Sequence, residues 1–317
     1  MRRLPITTIT LHAAMDMILD VPLLALHEVQ ESRTATLVPS GKGVNVARCL
    51  SCIGDDVYSL VLAGDDFDSS FRQLGDEHVT VSTIRSGSTT RINVTIRDRI
   101  GTTHIRSHSK ISIGNAITQI LNGLDYIGPG PFFCILSGSI PEGIEVAEFR
   151  RLLIGLKDRG HTVAVDSSGV GLRTATEVGV HIVKPNLNEL SELIGWTPSN
   201  EAELVDAGRT LQTMGTDRVL VSLGDRGAVL IAEDSAWVAK GEPAIAPVGR
   251  IGAGDALLGG YVSSFVAGES APDNLESSIA AASASLLSEI PGFFERAAYL
   301  ANRLEFRGSC LEVGSVA

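Results

Sequence analysis

From about residue 130 onward, short apolar runs alternate with amphipathic segments, and this alternation constrains the fold more than any other feature. Segments 132–137, 162–166, 181–184, 218–222 and 228–231 read as strands; 145–159, 188–194 and 255–267 read as helices. Strands this short, interleaved with helices, build right-handed βαβ units and a mostly parallel sheet covered on both faces. The expectation is an α/β chain, doubly wound, forming a single domain over residues 1–317.

The first 110 residues follow a different rule. Segments 91–96 and 102–106 alternate with period two around a turn at 98–101. That pattern is a hairpin with Ile92, Val94 and Ile96 on one face and Arg91, Asn93 and Thr95 on the other. A two-stranded ribbon cannot bury its apolar face alone. Segments of about 12–36 and 88–107 are therefore expected to form a small antiparallel β lid inserted in the domain. It would close over a ligand, pair with a second subunit, or both; packing of the Ile92 face onto the chain's own large domain is the alternative.

Composition narrows the class. With 317 residues, 44% of them hydrophobic, the chain can bury a large core. No run approaches the roughly eighteen apolar residues of a membrane span. The start, Met1 to Ile6, reads as the approach to a first strand and not as a signal peptide, so a soluble, cytoplasmic protein is expected. The net charge of −11 disfavours general binding to nucleic acid or acidic membrane. Anions must then be held by a few placed cations and backbone N–H groups. Cys49 and Cys52 form a C-x-x-C with no matching second pair; they read as packed core thiols.

The strongest local signal is Gly252-Ala253-Gly254-Asp255, a glycine turn opening a helix. Gly252, Ala253 and Gly254 can aim successive N–H groups at one point, where the helix dipole adds positive charge. Phosphoryl transfer needs such an anion hole, because its transition state spreads charge over three oxygens. Asp255 beside it could take the proton of an attacking hydroxyl; a plain helix cap is the alternative. Gly41-Lys42-Gly43-Val44-Asn45 is a second glycine turn before a helix. Lys184-Pro185-Asn186 ends a strand, where α/β proteins place ligands. Asn186 and Glu189 are spaced to hold hydrated Mg2+ through water, or else to cap a helix.

Together these segments resemble the ribokinase-like pfkB family of carbohydrate kinases over roughly residues 5–295. Gly252 to Asp255 and Gly41 to Asn45 are similar to its two signatures, Asn186 with Glu189 to its magnesium motif, and Ser222 to Gly227 to its nucleotide loop. The segments 9–16, 41–48, 90–94 and 137–141 are similar to its hexose-phosphate kinase branch. The resemblance implies ATP and Mg2+ as cofactors and a ketohexose phosphate as acceptor, foremost fructose 1-phosphate. Tagatose 6-phosphate, fructose 6-phosphate, another sugar or a nucleoside, and a non-catalytic sugar-phosphate sensor, are the other readings. By resemblance Asp16, Gly41, Lys42, Asn45, Arg91 and Ser139 would bind the acceptor, with Lys42 and Arg91 on its phosphate. Lys184, Ser222, Gly224, Gly227, Ala281 and Ser283 would line the ATP site, and a homodimer would form through the lid. The sequence departs from the pattern at His12-Ala13 (usually Asn-Pro), at Ser40 (usually glycine), at Arg250 (usually a small hydroxyl residue) and at Ser107-His108-Ser109-Lys110. These positions surround the acceptor and the lid; Arg250 would either assist the ATP phosphates or point to solvent.

Overall fold

The structure is a computed structural model and describes residues 3–75, 78–241, 248–249 and 251–313. The chain begins with β1 (Ile6–Thr10), leaves for β2 (Ala14–Asp20) and β3 (Thr34–Ser40), and returns through α1 (Lys42–Ile53) to β4 (Val57–Ala63). After α2 (Asp68–Arg72) and β5 (Val79–Arg85) it leaves again for β6 (Arg91–Arg97) and β7 (Thr102–Ile105). Next come α3 (Ala116–Ile127), β8 (Phe133–Ser137), α4 (Val146–Asp158), β9 (Thr162–Asp166), α5 (Gly169–Val178), β10 (Ile182–Val183) and α6 (Leu187–Ile194). The last part holds α7 (Glu201–Met214), β11 (Arg218–Ser222), β12 (Ala228–Ala232), β13 (Ser235–Ala239), α8 (Ala253–Val266), α9 (Ala271–Ser285), α10 (Arg296–Glu305) and β14 (Leu311–Glu312).

Ten strands form one sheet in the order β14-β13-β12-β11-β10-β9-β8-β1-β4-β5. It is parallel from β5 to β11 and antiparallel beyond. Every residue of β1 is buried, as a central strand covered on both faces requires. Alternate residues feed two cores. Cys134, Leu136, Val163 and Val165 pack with α3 to α7, whereas Phe133, Ile135 and Ala164 pack with α1, α8, α9 and α10.

Helix α8 is apolar nearly all round, and eleven of its residues are buried. Its middle carries Gly259 and Gly260 because its neighbours come too close for a side chain. A Cβ on Gly259 would lie 2.6 Å from Cys49 Sγ of α1, and one on Gly260 would lie 2.4 Å from the Ser277 carbonyl of α9. Leu257, Leu258 and Val262 add burial on the order of 2 kcal/mol each. The helix that begins at the glycine turn is thereby clamped in place. Cys49 is buried and Cys52 half-buried, and neither forms a disulfide.

The second sheet has four strands in the order β3-β2-β6-β7. Its two outer pairings are antiparallel, and β2 runs parallel to β6 because each belongs to a separate excursion from the large sheet. The first excursion continues to Ser40, past the residue 36 read from sequence. Register places Leu37, Met17, Val94 and Ile105 in one row across all four strands. Leu37 and Ile105 are exposed, and so is Ile92 one step along. The near end of this face packs on the chain's own body, where Met15, the register partner of Ile92, clusters with Val61 and Ala63 of β4, while the face is open at Leu37, Ile92 and Ile105. The opposite face carries Arg91, Asn93 and the buried Thr95. Arg97 links this sheet to the main body through an ion pair with Glu289 (2.6 Å). Among the described residues, no helix is long and apolar enough to cross a membrane.

Candidate active site

Two helices point their N-termini at the carboxyl edge of the large sheet. Gly41 starts α1 and Gly252 starts α8, and neither helix start receives a side-chain cap. Gly252 adopts φ 84°, a left-handed conformation that glycine enters without strain. The uncapped N–H groups of the first turn remain free to receive an anion. Asp255 lies in that first turn, and its Oδ2 accepts a hydrogen bond from Asn45 Nδ2 at 2.8 Å. The cap position falls on Gly252, so the simple capping interpretation of Asp255 does not describe this helix.

Asn45 is itself held from the other side. Its Oδ1 accepts from Ser40 Oγ (3.4 Å) and from Arg48 Nη1 (3.3 Å). Arg48 is half-buried and donates to the carbonyls of Pro39 (2.8 Å) and Pro291 (2.5 Å). Burial lowers its guanidinium to about 10, and it stays charged at neutral pH.

Beside the two helix starts lies a buried ionic cluster that sequence reading did not anticipate. Asp166, at the carboxyl end of β9 and 1% exposed, is 3.1 Å from Lys42 Nζ and 3.3 Å from Lys184 Nζ. Burial alone would raise the Asp166 carboxyl, but Lys184 and Lys42 together hold it below the usual carboxylate range. Asp166 in turn raises the ammonium of Lys42. Asp255 shows the opposite balance. Burial, then the charge of Asp166, pushes its carboxyl up to about 6, against the pull of Lys42, Asn45 and Lys184. It is mostly ionised at pH 7 yet basic enough to accept a proton. Lys184 also lies beside the anion hole, its Nζ 3.5 Å from where a Cβ on Gly254 would be. Thr10, Ser137 and Ser167, near the carboxyl ends of β1, β8 and β9, keep buried hydroxyls with no hydrogen-bond partner among the described residues. A polar ligand or ordered water would satisfy them.

The small sheet overhangs this edge. Arg91 donates from Nη2 to the His12 carbonyl (3.0 Å) and from Nε to the Ala13 carbonyl (3.3 Å). Asp16 is buried, and its Oδ1 accepts from Asn93 Nδ2 (2.8 Å), its register partner. Ser139, exposed in the loop after β8, meets His12 Nδ1 at 3.1 Å.

The remaining positions divide. Asn186 and Glu189 form a reciprocal capping box at the start of α6. Asn186 Oδ1 accepts the Glu189 N–H and Glu189 Oε2 accepts the Asn186 N–H, both at 2.9 Å. Both side chains keep further oxygen lone pairs, so the box and an outer-sphere hydrated cation are compatible. Among the described residues no three His, Cys, Asp or Glu side chains converge as a ligand set. Ser222 bridges to Asn186 at the strand ends, and Gly224 and Gly227 shape the turn that follows. A cavity of about 740 Å3 opens beside this turn, lined by Leu187, Leu223, Arg226 and Lys240; it does not include Asp255 or the lysine pair. Ser283 is half-buried. Ala281 is fully buried against Gly260 in the α8–α9 contact. Arg250 lies outside the described residues.

The comparison with known proteins agrees with this geometry. The 1-phosphofructokinase of Escherichia coli K12 is 28% identical over 294 residues, covering 92% of this chain and 94% of its own. The 1-phosphofructokinase of Rhodobacter capsulatus is 31% identical over 271 residues, covering 82% and 83%. In three dimensions phosphofructokinase-2 from Escherichia coli superposes with a TM-score of 0.87 at 23% identity, over 96% of this chain and 99% of that one. Ribokinase from Arabidopsis thaliana, complexed with ribose and ATP, superposes at 0.73 and 21%, over 95% and 98%. These two structures share the ribokinase-like fold. Residues 6–293 match the pfkB family carbohydrate kinase pattern, and the chain therefore belongs to that family of phosphotransferases.

Proposed function

We propose that this protein transfers the γ-phosphate of ATP to a hydroxyl of a ketohexose phosphate, foremost fructose 1-phosphate, giving fructose 1,6-bisphosphate. The observation that carries the reading is the Asn45–Asp255 hydrogen bond at the uncapped start of α8, next to the Lys42–Asp166–Lys184 cluster. Relatives named 1-phosphofructokinase support the choice of acceptor.

Asp255 orients the acceptor hydroxyl and takes its proton as the oxygen bonds to the γ-phosphorus. The bond from that phosphorus to the β-phosphate oxygen breaks, and ADP leaves. The N–H groups at Gly252, Ala253 and Gly254 receive the equatorial oxygens. Lys184 serves the ATP phosphates from beside Gly254. Lys42 and Arg91 serve the phosphate already on the acceptor; both are paired here, with Asp166 and with two carbonyls, and an incoming phosphate competes for them. Asp16 and Asn45 hold sugar hydroxyls. Mg2+, held through water near Asn186 and Glu189, would neutralise charge between the phosphates of ATP. The turn at Ser222, Gly224 and Gly227, with Ser283, would border the nucleotide.

In this reading residues 1–317 form one catalytic domain, with the four-stranded sheet as its lid. The exposed row through Leu37, Val94 and Ile105 meets the same row of a second copy. A coupled ADP-release screen tests the reading. Fructose 1-phosphate, fructose 6-phosphate, tagatose 6-phosphate, free sugars and nucleosides are offered in turn. Turnover greatest with fructose 1-phosphate is expected, and turnover confined to unphosphorylated acceptors overturns the assignment.

A further inference from the structure

Two places where the sequence departs from the pfkB pattern meet in space. His12 follows β1 and Ser109 lies on the segment returning from β7. His12 Nε2 is 3.1 Å from Ser109 Oγ, while its Nδ1 is 3.1 Å from Ser139 Oγ in the loop after β8. The carbonyls of His12 and Ala13 receive the guanidinium of Arg91. One residue thus touches the return segment, the floor loop and, through the backbone, the leading cation of the small sheet. Burial, then Arg91 and His108, lowers the imidazole to about 4, so it is neutral. A neutral ring donates from one nitrogen and accepts at the other, and two hydroxyls can complement either tautomer. The asparagine more usual here is shorter. Its amide can replace Nδ1 toward Ser139 but does not extend to the position of Nε2.

We propose that His12 is a positioning residue that sets acceptor specificity: by spanning Ser109 and Ser139 it fixes the return segment and Arg91 over the floor loop. The spacing between Arg91 and the reacting end at Asp255 then selects among sugar phosphates by where their phosphate sits. This rests on the sugar-phosphate reading above.

The test compares wild type, His12→Asn, Ser109→Ala and the double variant. Fructose 1-phosphate, fructose 6-phosphate and tagatose 6-phosphate are each titrated at saturating ATP, and ATP is titrated at saturating acceptor. Each single variant is expected to raise KM for the preferred acceptor about threefold to tenfold, the worth of one hydrogen bond. Each also shifts the ranking of the three acceptors and leaves KM for ATP unchanged. The double variant is no worse than the poorer single, because both remove the same contact. Additive losses, or losses in kcat and in KM for ATP with the ranking kept, overturn the proposal. Should His12→Asn fail to fold, the half-exposed Ser109→Ala decides it alone by the same KM split. A wild type that phosphorylates none of the three acceptors refutes the sugar-phosphate reading itself. A wild type that uses one of them while both single variants keep its KM and ranking refutes only the role of His12.

Discussion

The two ends of the cleft are built differently. At the phosphoryl end, Asp255, Asp166 and Lys184 are each under a tenth exposed; Asp255 sits on a helix clamped at Gly259 and Gly260, and Asp166 and Lys184 sit at the ends of the buried strands β9 and β10. At the acceptor end, Ser139 and His108 are exposed, Arg91 is half-buried, and the supporting sheet shows an apolar face. The first end inherits its geometry from the core, so changing it disturbs packing. The second hangs on a few hydrogen bonds between separate excursions, and it can drift without cost to the fold. The departures at His12 and 107–110 fall at the second end. In the proposed reading, chemistry belongs to the packed half and selectivity to the hung half.

The sharpest contrast comes from Asp255→Asn. We expect kcat to fall by about 10²–10⁴, the worth of a general base. The same change should stabilise the protein at neutral pH by on the order of 1–2 kcal/mol. The sign follows from the raised carboxyl. Its penalty is absent below the unfolded value of 3.8 and complete above about 6, so the gain grows as pH rises through that window. Melting curves at low and neutral pH read the stability. In the wild type, kcat/KM should fall as pH drops below about 6. Near-normal turnover by the variant would remove Asp255 from the mechanism.

Next in size are Arg91→Ala and Lys42→Ala. Each should raise KM for phosphorylated acceptors about tenfold to a hundredfold, from the loss of a charge-assisted contact of roughly 1.5–3 kcal/mol. The two should differ in stability. Lys42→Ala leaves buried Asp166 with Lys184 alone and lowers the melting temperature, whereas Arg91→Ala releases only two carbonyls. Equal losses with unphosphorylated acceptors would break the division of labour between the two ends.

A third experiment isolates the hung half. Ile92→Asp with Val94→Asp should give a folded monomer with weaker acceptor binding and little change in melting temperature. A wild type that sediments as a monomer ends the dimer proposal. The smallest effect is expected for Glu189→Gln. Glutamine also closes a capping box, so folding should hold while the magnesium concentration for half-maximal rate rises. Unchanged magnesium dependence would leave Asn186 and Glu189 as a helix cap only.

The packed half was legible in the sequence where the period was. The alternating strands, the glycine turns at 41 and 252 and the hairpin at 91–105 all lie where local pattern places them. Asp166 was missed because its partners come from elsewhere in the chain, Lys184 from the neighbouring strand end and Lys42 from 124 positions away. The available signal was an acid ending a buried parallel strand. Arg48 lay within a recognised motif, yet its bond to Pro291 depends on a loop 243 residues later.

The parallel pairing of β2 with β6 joins residues 77 positions apart in the chain. Closing so long a loop costs about 4 kcal/mol of chain entropy by the logarithmic rule. That pairing becomes affordable only once β1, β4 and β5 have brought the two departure points together. The overhanging sheet is therefore expected to assemble late, after the main nucleus, and to open as a foldon of its own. Its amides should exchange with solvent through partial opening while those of β1 and β8 wait for global unfolding. Such an opening would free the acceptor end and leave the Asp255 helix in register.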